Sequence, residues 1–94
     1  MRLYLVRHPQ PVIEPDICYG SADIDVAAVH REQVCSALLQ ILPKDAVLYS
    51  SPLRRCADLA LQLASAFDSG DVKVDVRLVE MDFGNWELRR WSEI

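Results

Sequence analysis

The sequence predicts an α/β fold with a mostly parallel sheet. Short apolar runs alternate with amphipathic helical segments in the order strand, helix, strand, helix, strand. The residues that follow the three strands are polar or charged, as they are where open α/β sheets bind ligands. Taken in order, Arg2–Val6 reads as a short buried strand, apolar on both faces like a central strand. Residues 7–25 read as loop, punctuated by Pro9, Pro11, Pro15 and Gly20. Residues 26–42 read as a helix, with Val34, Ala37, Leu38, Ile41 and Leu42 on one face and Pro43 as its stop. Residues 46–49 form a second apolar strand. Ser51 then offers an N-cap and Pro52 suits the first helical position. The second helix places Cys56, Leu59, Ala60, Leu63, Ala64 and Phe67 on one face, and Gly70 follows as its stop. In residues 72–78, Val72, Val74, Val76 and Leu78 alternate with polar residues, the mark of a half-buried strand near a sheet edge. Residues 80–94 show no period.

Ninety-four residues bound the chain to one domain at most. With 51% hydrophobic and 26% charged residues it is composed like a folded globular chain, not a disordered one. A net charge of −4 argues against non-specific binding to nucleic acid or anionic membranes. No apolar run approaches the roughly 20 residues of a membrane span, and Met1 leads into no signal-peptide core. Cys18, Cys35 and Cys56 stand at unrelated spacings, which reads as reduced thiols in a cytoplasmic protein. Cys35 and Cys56 fall on apolar helix faces and read as core.

The candidate site lies at the strand ends. The first strand ends in Arg7 and His8. The second ends in Ser50 and Ser51, with Arg54 and Arg55 on the next helical turn. The third ends in Glu80. Singly, each has a bland reading: a surface histidine, two solvated arginines, an ordinary surface glutamate. His30 reads as structural, and Trp86 and Trp91 as packing. Jointly they fit phosphoryl chemistry. Arginine binds phosphate bidentately, and a helix N-terminus adds free N–H groups. A neutral histidine can attack phosphorus, and a carboxylic acid can protonate the leaving oxygen.

The same residues carry a resemblance. Leu5-Val6-Arg7-His8-Pro9 resembles the Arg-His-Gly signature of the histidine phosphatase (phosphoglycerate mutase-like) superfamily. Ser50-Ser51-Pro52-Leu53-Arg54-Arg55-Cys56-Ala57 resembles its Ser-Ser-Pro-Leu-x-Arg-Ala motif. Glu80-Met81-Asp82-Phe83-Gly84-Asn85-Trp86-Glu87 resembles its third, a Glu followed by x-x-Phe-Gly-x-Trp-Glu. The resemblance implies a three-layer phosphoglycerate mutase-like sandwich without metal or other cofactor. It implies His8 as nucleophile, Glu80 as proton donor, and Arg7, Arg55 and Ser51 as substrate-binding residues; Arg54 falls on the variable position. Pro9 replaces the usual glycine, Pro11 and Glu14 stand where polar residues are common, and Leu88 stands where glycine often follows Trp-Glu.

The second catalytic histidine of that family would lie beyond Ile94, so residues 1–94 are expected to be the N-terminal part of a single domain. The implied function is hydrolysis of a small phosphorylated metabolite through phosphohistidine. Arg7-His8-Pro9-Gln10-Pro11 followed by Cys18-Tyr19-Gly20 and Asp23 is similar to alpha-ribazole phosphatases of cobalamin assembly. An inactive fragment that keeps a phosphate pocket, and a mutase-type phosphotransferase, are the alternatives. The expected partner is the phosphorylated substrate, with neither nucleic acid nor membrane. Strand one, lacking a neighbour, would be open to pairing with another protomer in a homo-oligomer.

Overall fold

The computed structural model describes Met1–Ile94. Its regular elements are helix α1 (Ala28–Leu39), strand β1 (Leu48–Ser50), helix α2 (Arg54–Ala64) and strand β2 (Val72–Val74). Short 3-10 turns follow at Val76–Leu78, Gly84–Trp86 and Trp91–Glu93. The α/β class with parallel strands is as expected: β1 and β2 pair in parallel, Leu48 opposite Val72, Tyr49 opposite Lys73 and Ser50 opposite Val74.

Helix α2 organises the packing because its apolar stripe is cleanly periodic. Leu59, Ala60, Leu63 and Ala64 are buried, and Phe67 continues the stripe past the helix end. Cys35 of α1 joins Leu59, Leu63 and Phe67 in one buried cluster. Val34, Leu38, Leu39, Leu42, Ala46 and Leu48 pack around it. α1 thus leans on α2, and α2 on the strands. Of the face expected for α1, Ala37 and Ile41 are exposed. The helix tightens at its end: the N–H groups of Gln40 and Ile41 reach back three residues, to Ala37 and Leu38. That turns Ile41 away from the core.

Three further expectations are corrected. Strand one does not form. Residues 2–6 join no ladder, and Leu3 and Leu5 are 81% and 89% exposed. The physical reason is the lack of a neighbour, since the sheet has two strands and neither takes this segment. The third strand stops at Val74, because the Asp75 carboxylate accepts the Arg77 N–H at 2.9 Å and turns the chain into a 3-10 helix. Val76 and Leu78 therefore lie exposed outside the ladder.

Helix α2 begins at Arg54, not at Ser51 and Pro52. The Ser51 hydroxyl accepts the Leu53 N–H, and the true cap comes from a distant loop: the Asp23 carboxylate accepts the Arg54 N–H at 2.7 Å. The tail without a period is also tied down. Leu88 N–H donates to the Cys18 carbonyl at 2.7 Å, Cys18 N–H to Arg89 at 2.8 Å, and Trp91 N–H to Asp16 at 2.8 Å. Phe83 and Trp91 meet edge to face at 5.8 Å.

No helix is long and apolar enough to cross a membrane. Leu3, Leu5, Val47, Tyr49, Val74 and Val76 all stand exposed, beside backbone groups of residues 2–6 that pair with no strand. Such surfaces drive association. The isolated 94-residue chain is therefore expected to sediment as oligomers at micromolar concentration. A single 10.7 kDa species in velocity sedimentation would show that solvent tolerates these faces.

Candidate active site

Arg7, His8 and Glu80 open on one cleft of about 440 Å³, whose other walls are Val6, Tyr19 and Cys56. A second hollow of about 320 Å³ adjoins it, lined by Arg7, His8, Gln10, Pro11 and Tyr19. Arg7, His8 and Tyr19 are common to both hollows, so they form the wall between them. His8 Nδ1 lies 2.7 Å from the Pro9 carbonyl oxygen. A carbonyl only accepts, so Nδ1 carries a proton, and the neutral form of the ring would hold its lone pair on Nε2. The loop after Pro9 is steadied by His30, whose Nδ1 accepts the Gln10 N–H at 3.2 Å.

Arg55 stands behind this cleft, only 2% exposed. Its position near the N-terminal end of α2 and on the buried stripe, four residues before Leu59, points it inward. Its terminal amines donate to the carbonyls of Ala22, at 2.5 Å, and Gly20. Its guanidinium lies over the Tyr19 ring at 5.2 Å, with Glu80 at 3.9 Å. Its Nε is buried without a partner. The resemblance implies Arg55 as a substrate-binding residue beside Arg7. In the structure its amines donate to loop carbonyls, and it lines neither hollow. Arg7 is the guanidinium on the wall.

Ser51 is buried and lies outside both linings. Its hydroxyl accepts the Leu53 N–H. Burial pushes the Cys56 thiol up, against the lowering effects of the Arg55 charge and the Ser51 hydroxyl. Arg54 faces away, paired with Asp25 at 2.9 Å and Asp23 at 3.4 Å.

Glu87, which the sequence shows only as the end of the third motif, is the residue that locks these pieces. Its carboxylate accepts N–H groups from Gly20 at 3.0 Å, Ala22 at 2.9 Å and Phe83 at 3.0 Å. Burial raises its pKa, but those three N–H groups and the Arg55 charge outweigh it and hold the carboxyl below its ordinary 4.5. Burial and then the Glu87 charge push the Cys18 thiol up. Tyr19 and Glu87 carry no chemistry legible from residue type. A motif ending in a carboxylate is the signal that could have singled out Glu87.

Residues 3–94 match the histidine phosphatase superfamily (branch 1). The chain is 33% identical to phosphoserine phosphatase 1 of Hydrogenobacter thermophilus, over 99% of this chain and 51% of that protein. The structure resembles mycobacterial glucosyl-3-phosphoglycerate phosphatase Rv2419c with a TM-score of 0.78 at 26% identity, covering 92% of this chain and 41% of that one. It also resembles the phosphoserine phosphatase of Entamoeba histolytica, solved with 3-phosphoglyceric acid, with a TM-score of 0.74 at 25% identity, covering 92% and 43%. The chain thus spans about half the length of these relatives, or less.

The Glu87 contacts set a pH dependence. A carboxyl whose folded pKa is depressed stabilises above its unfolded pKa, and that stability is lost as pH falls through the folded value. The stability Glu87 contributes is therefore full above about 4.5 and is lost progressively below it, as pH falls through the lower folded value. Urea titrations from about pH 6 to about pH 3 are expected to show falling stability, with a shallower fall for Glu87→Gln. A second expectation concerns Leu88, which sits at φ +66°, where a side chain crowds its own backbone. Its side chain is largely exposed, so Leu88→Gly relieves the strain at little packing loss. It is expected to raise the urea midpoint by the equivalent of about 1 kcal/mol.

Proposed function

The chain belongs to the histidine phosphatase superfamily, and on that premise we propose that it is the N-terminal part of a single phosphatase domain acting on a small phosphorylated metabolite. The observation that carries the reading is one cleft lined by Arg7, His8 and Glu80, with His8 Nδ1 donating to the Pro9 carbonyl so that Nε2 is the ring nitrogen left for attack. The phosphoryl group would rest against Arg7, with the buried charge of Arg55 behind it. His8 Nε2 attacks phosphorus as the P–O bond to the leaving group breaks, and protonated Glu80 gives its proton to the departing oxygen. Water then attacks the phosphohistidine, Glu80 takes a proton from it, and inorganic phosphate leaves. In this reading no metal or cofactor takes part.

The substrate is proposed at the level of class. The relatives are named for phosphoserine and glucosyl-3-phosphoglycerate, small metabolites bearing one phosphate ester. Alpha-ribazole phosphate is the finer proposal that the Arg7–Pro11 and Cys18–Gly20 motifs support. A panel of phosphoserine, 3-phosphoglycerate, glucosyl-3-phosphoglycerate and alpha-ribazole phosphate separates these, and release of free phosphate separates hydrolysis from transfer.

In the protein carrying this chain, His8→Ala is expected to abolish turnover on every substrate. Glu80→Gln is expected to cost about 10²-fold or more with poor leaving groups, and far less with 4-nitrophenyl phosphate. Steady-state kinetics on both ester types decides. Full activity of His8→Ala would remove the phosphohistidine route. Equal losses in Glu80→Gln would remove Glu80 as the acid.

A further inference from the structure

We propose that Glu87 is a positioning residue that sets where the proton donor Glu80 stands relative to His8, an inference that rests on the phosphatase reading above. One carboxylate joins two segments far apart in sequence. Oε1 accepts N–H groups from Gly20 and Ala22, in the loop that places Tyr19 on the cleft wall. Oε2 lies 3.0 Å from the Phe83 N–H and 3.1 Å from that of Gly20. Phe83 stands three residues after Glu80, so this bond fixes the segment that carries the acid.

The two segments touch directly as well. A Cβ on Gly20 would lie 1.9 Å from the Met81 carbonyl and 2.8 Å from the Phe83 ring. The loop is therefore seated on the Glu80 segment at a spacing that only glycine permits. Arg55 completes the brace from the other side, holding the Gly20 and Ala22 carbonyls while its amine stands 3.9 Å from Glu80. Glu87 reaches none of the cleft-lining positions itself. Its effect on chemistry runs through Phe83 to Glu80, and through Gly20 and Ala22 to Tyr19.

Glu87→Ala removes the acceptor of all three N–H groups at once. Arg55 still holds the Gly20 and Ala22 carbonyls, while the Phe83 N–H loses its acceptor and the Glu80 segment is released. Glu87→Ala is therefore expected to copy the signature of a misplaced acid. In the protein carrying this chain, kcat on phenyl phosphate falls about tenfold or more beyond the fall on 4-nitrophenyl phosphate. KM for both moves by less than about threefold, because Arg7 and His8 are untouched. Equal falls on both esters, or a loss confined to KM, would overturn the proposal.

A measurement on the unmodified protein keeps the test independent of variant folding and of activity. If one carboxylate holds all three N–H groups, the amide proton shifts of Gly20, Ala22 and Phe83 will titrate together as Glu87 protonates. Arg55 and Cys18 are the ionisable groups coupled to it. Separate midpoints, or a Phe83 amide that does not move, would overturn the proposal. Absence of any phosphatase turnover in the unmodified protein, with the common titration present, would instead overturn the phosphatase reading.

Discussion

The short loop Gly20–Ala22 is gripped from both sides by opposite charges, and the cleft depends on that grip. Its N–H groups point to the Glu87 carboxylate and its carbonyls to the Arg55 guanidinium. The peptide groups are polarised between an anion and a cation, and hydrogen bonds to charged groups are worth about 1.5–3 kcal/mol each. Arg55 comes from the start of α2 and Glu87 from the tail, so one arrangement joins the loop, the main helix and the last third of the chain. A buried guanidinium without such partners would cost several kcal/mol. Here two carbonyls, the Tyr19 ring and the Glu80 carboxylate surround it.

The acidic chain still brings two guanidinium groups to the cleft region, Arg7 on its wall and Arg55 buried behind it. The net charge is −4, and several acidic residues are already engaged away from the cleft. Asp23 and Asp25 hold Arg54, Glu14 holds Arg90 at 2.6 Å, and Asp75 holds Arg77 at 2.6 Å. Arg7 shares the cleft wall with His8, and Arg55 lies near both Glu80 and Glu87. Glu80, largely exposed on the rim, is the carboxylate that shares the cleft with Arg7 and His8.

Much of this was legible before folding was considered. The stripe Leu59, Ala60, Leu63, Ala64 and Phe67 announces α2 because helical period and burial coincide there. Arg7, His8 and Glu80 do share one cleft, though not as the ends of strands: the first strand does not form and β2 stops at Val74, before Glu80. Reading failed where a distant contact outbid a local signal. Ser51 and Pro52 look like a helix start, yet Asp23 supplies the cap from 31 residues away. Leu3–Val6 look like a central strand, yet apolar character makes a strand only when a neighbour pairs with it.

Residue type and spacing by themselves determined the α/β class and the core face of α2, and they pointed to residue types suited to a phosphoryl ester. Each follows from local period or from side-chain chemistry, which the chain carries wherever it goes. Only the tertiary structure decided how Arg55 and Glu87 are used. Their roles depend on which backbone N–H and carbonyl groups arrive beside them. Gly20 lies 35 residues from Arg55 and 67 from Glu87, and no local pattern encodes a meeting across that distance.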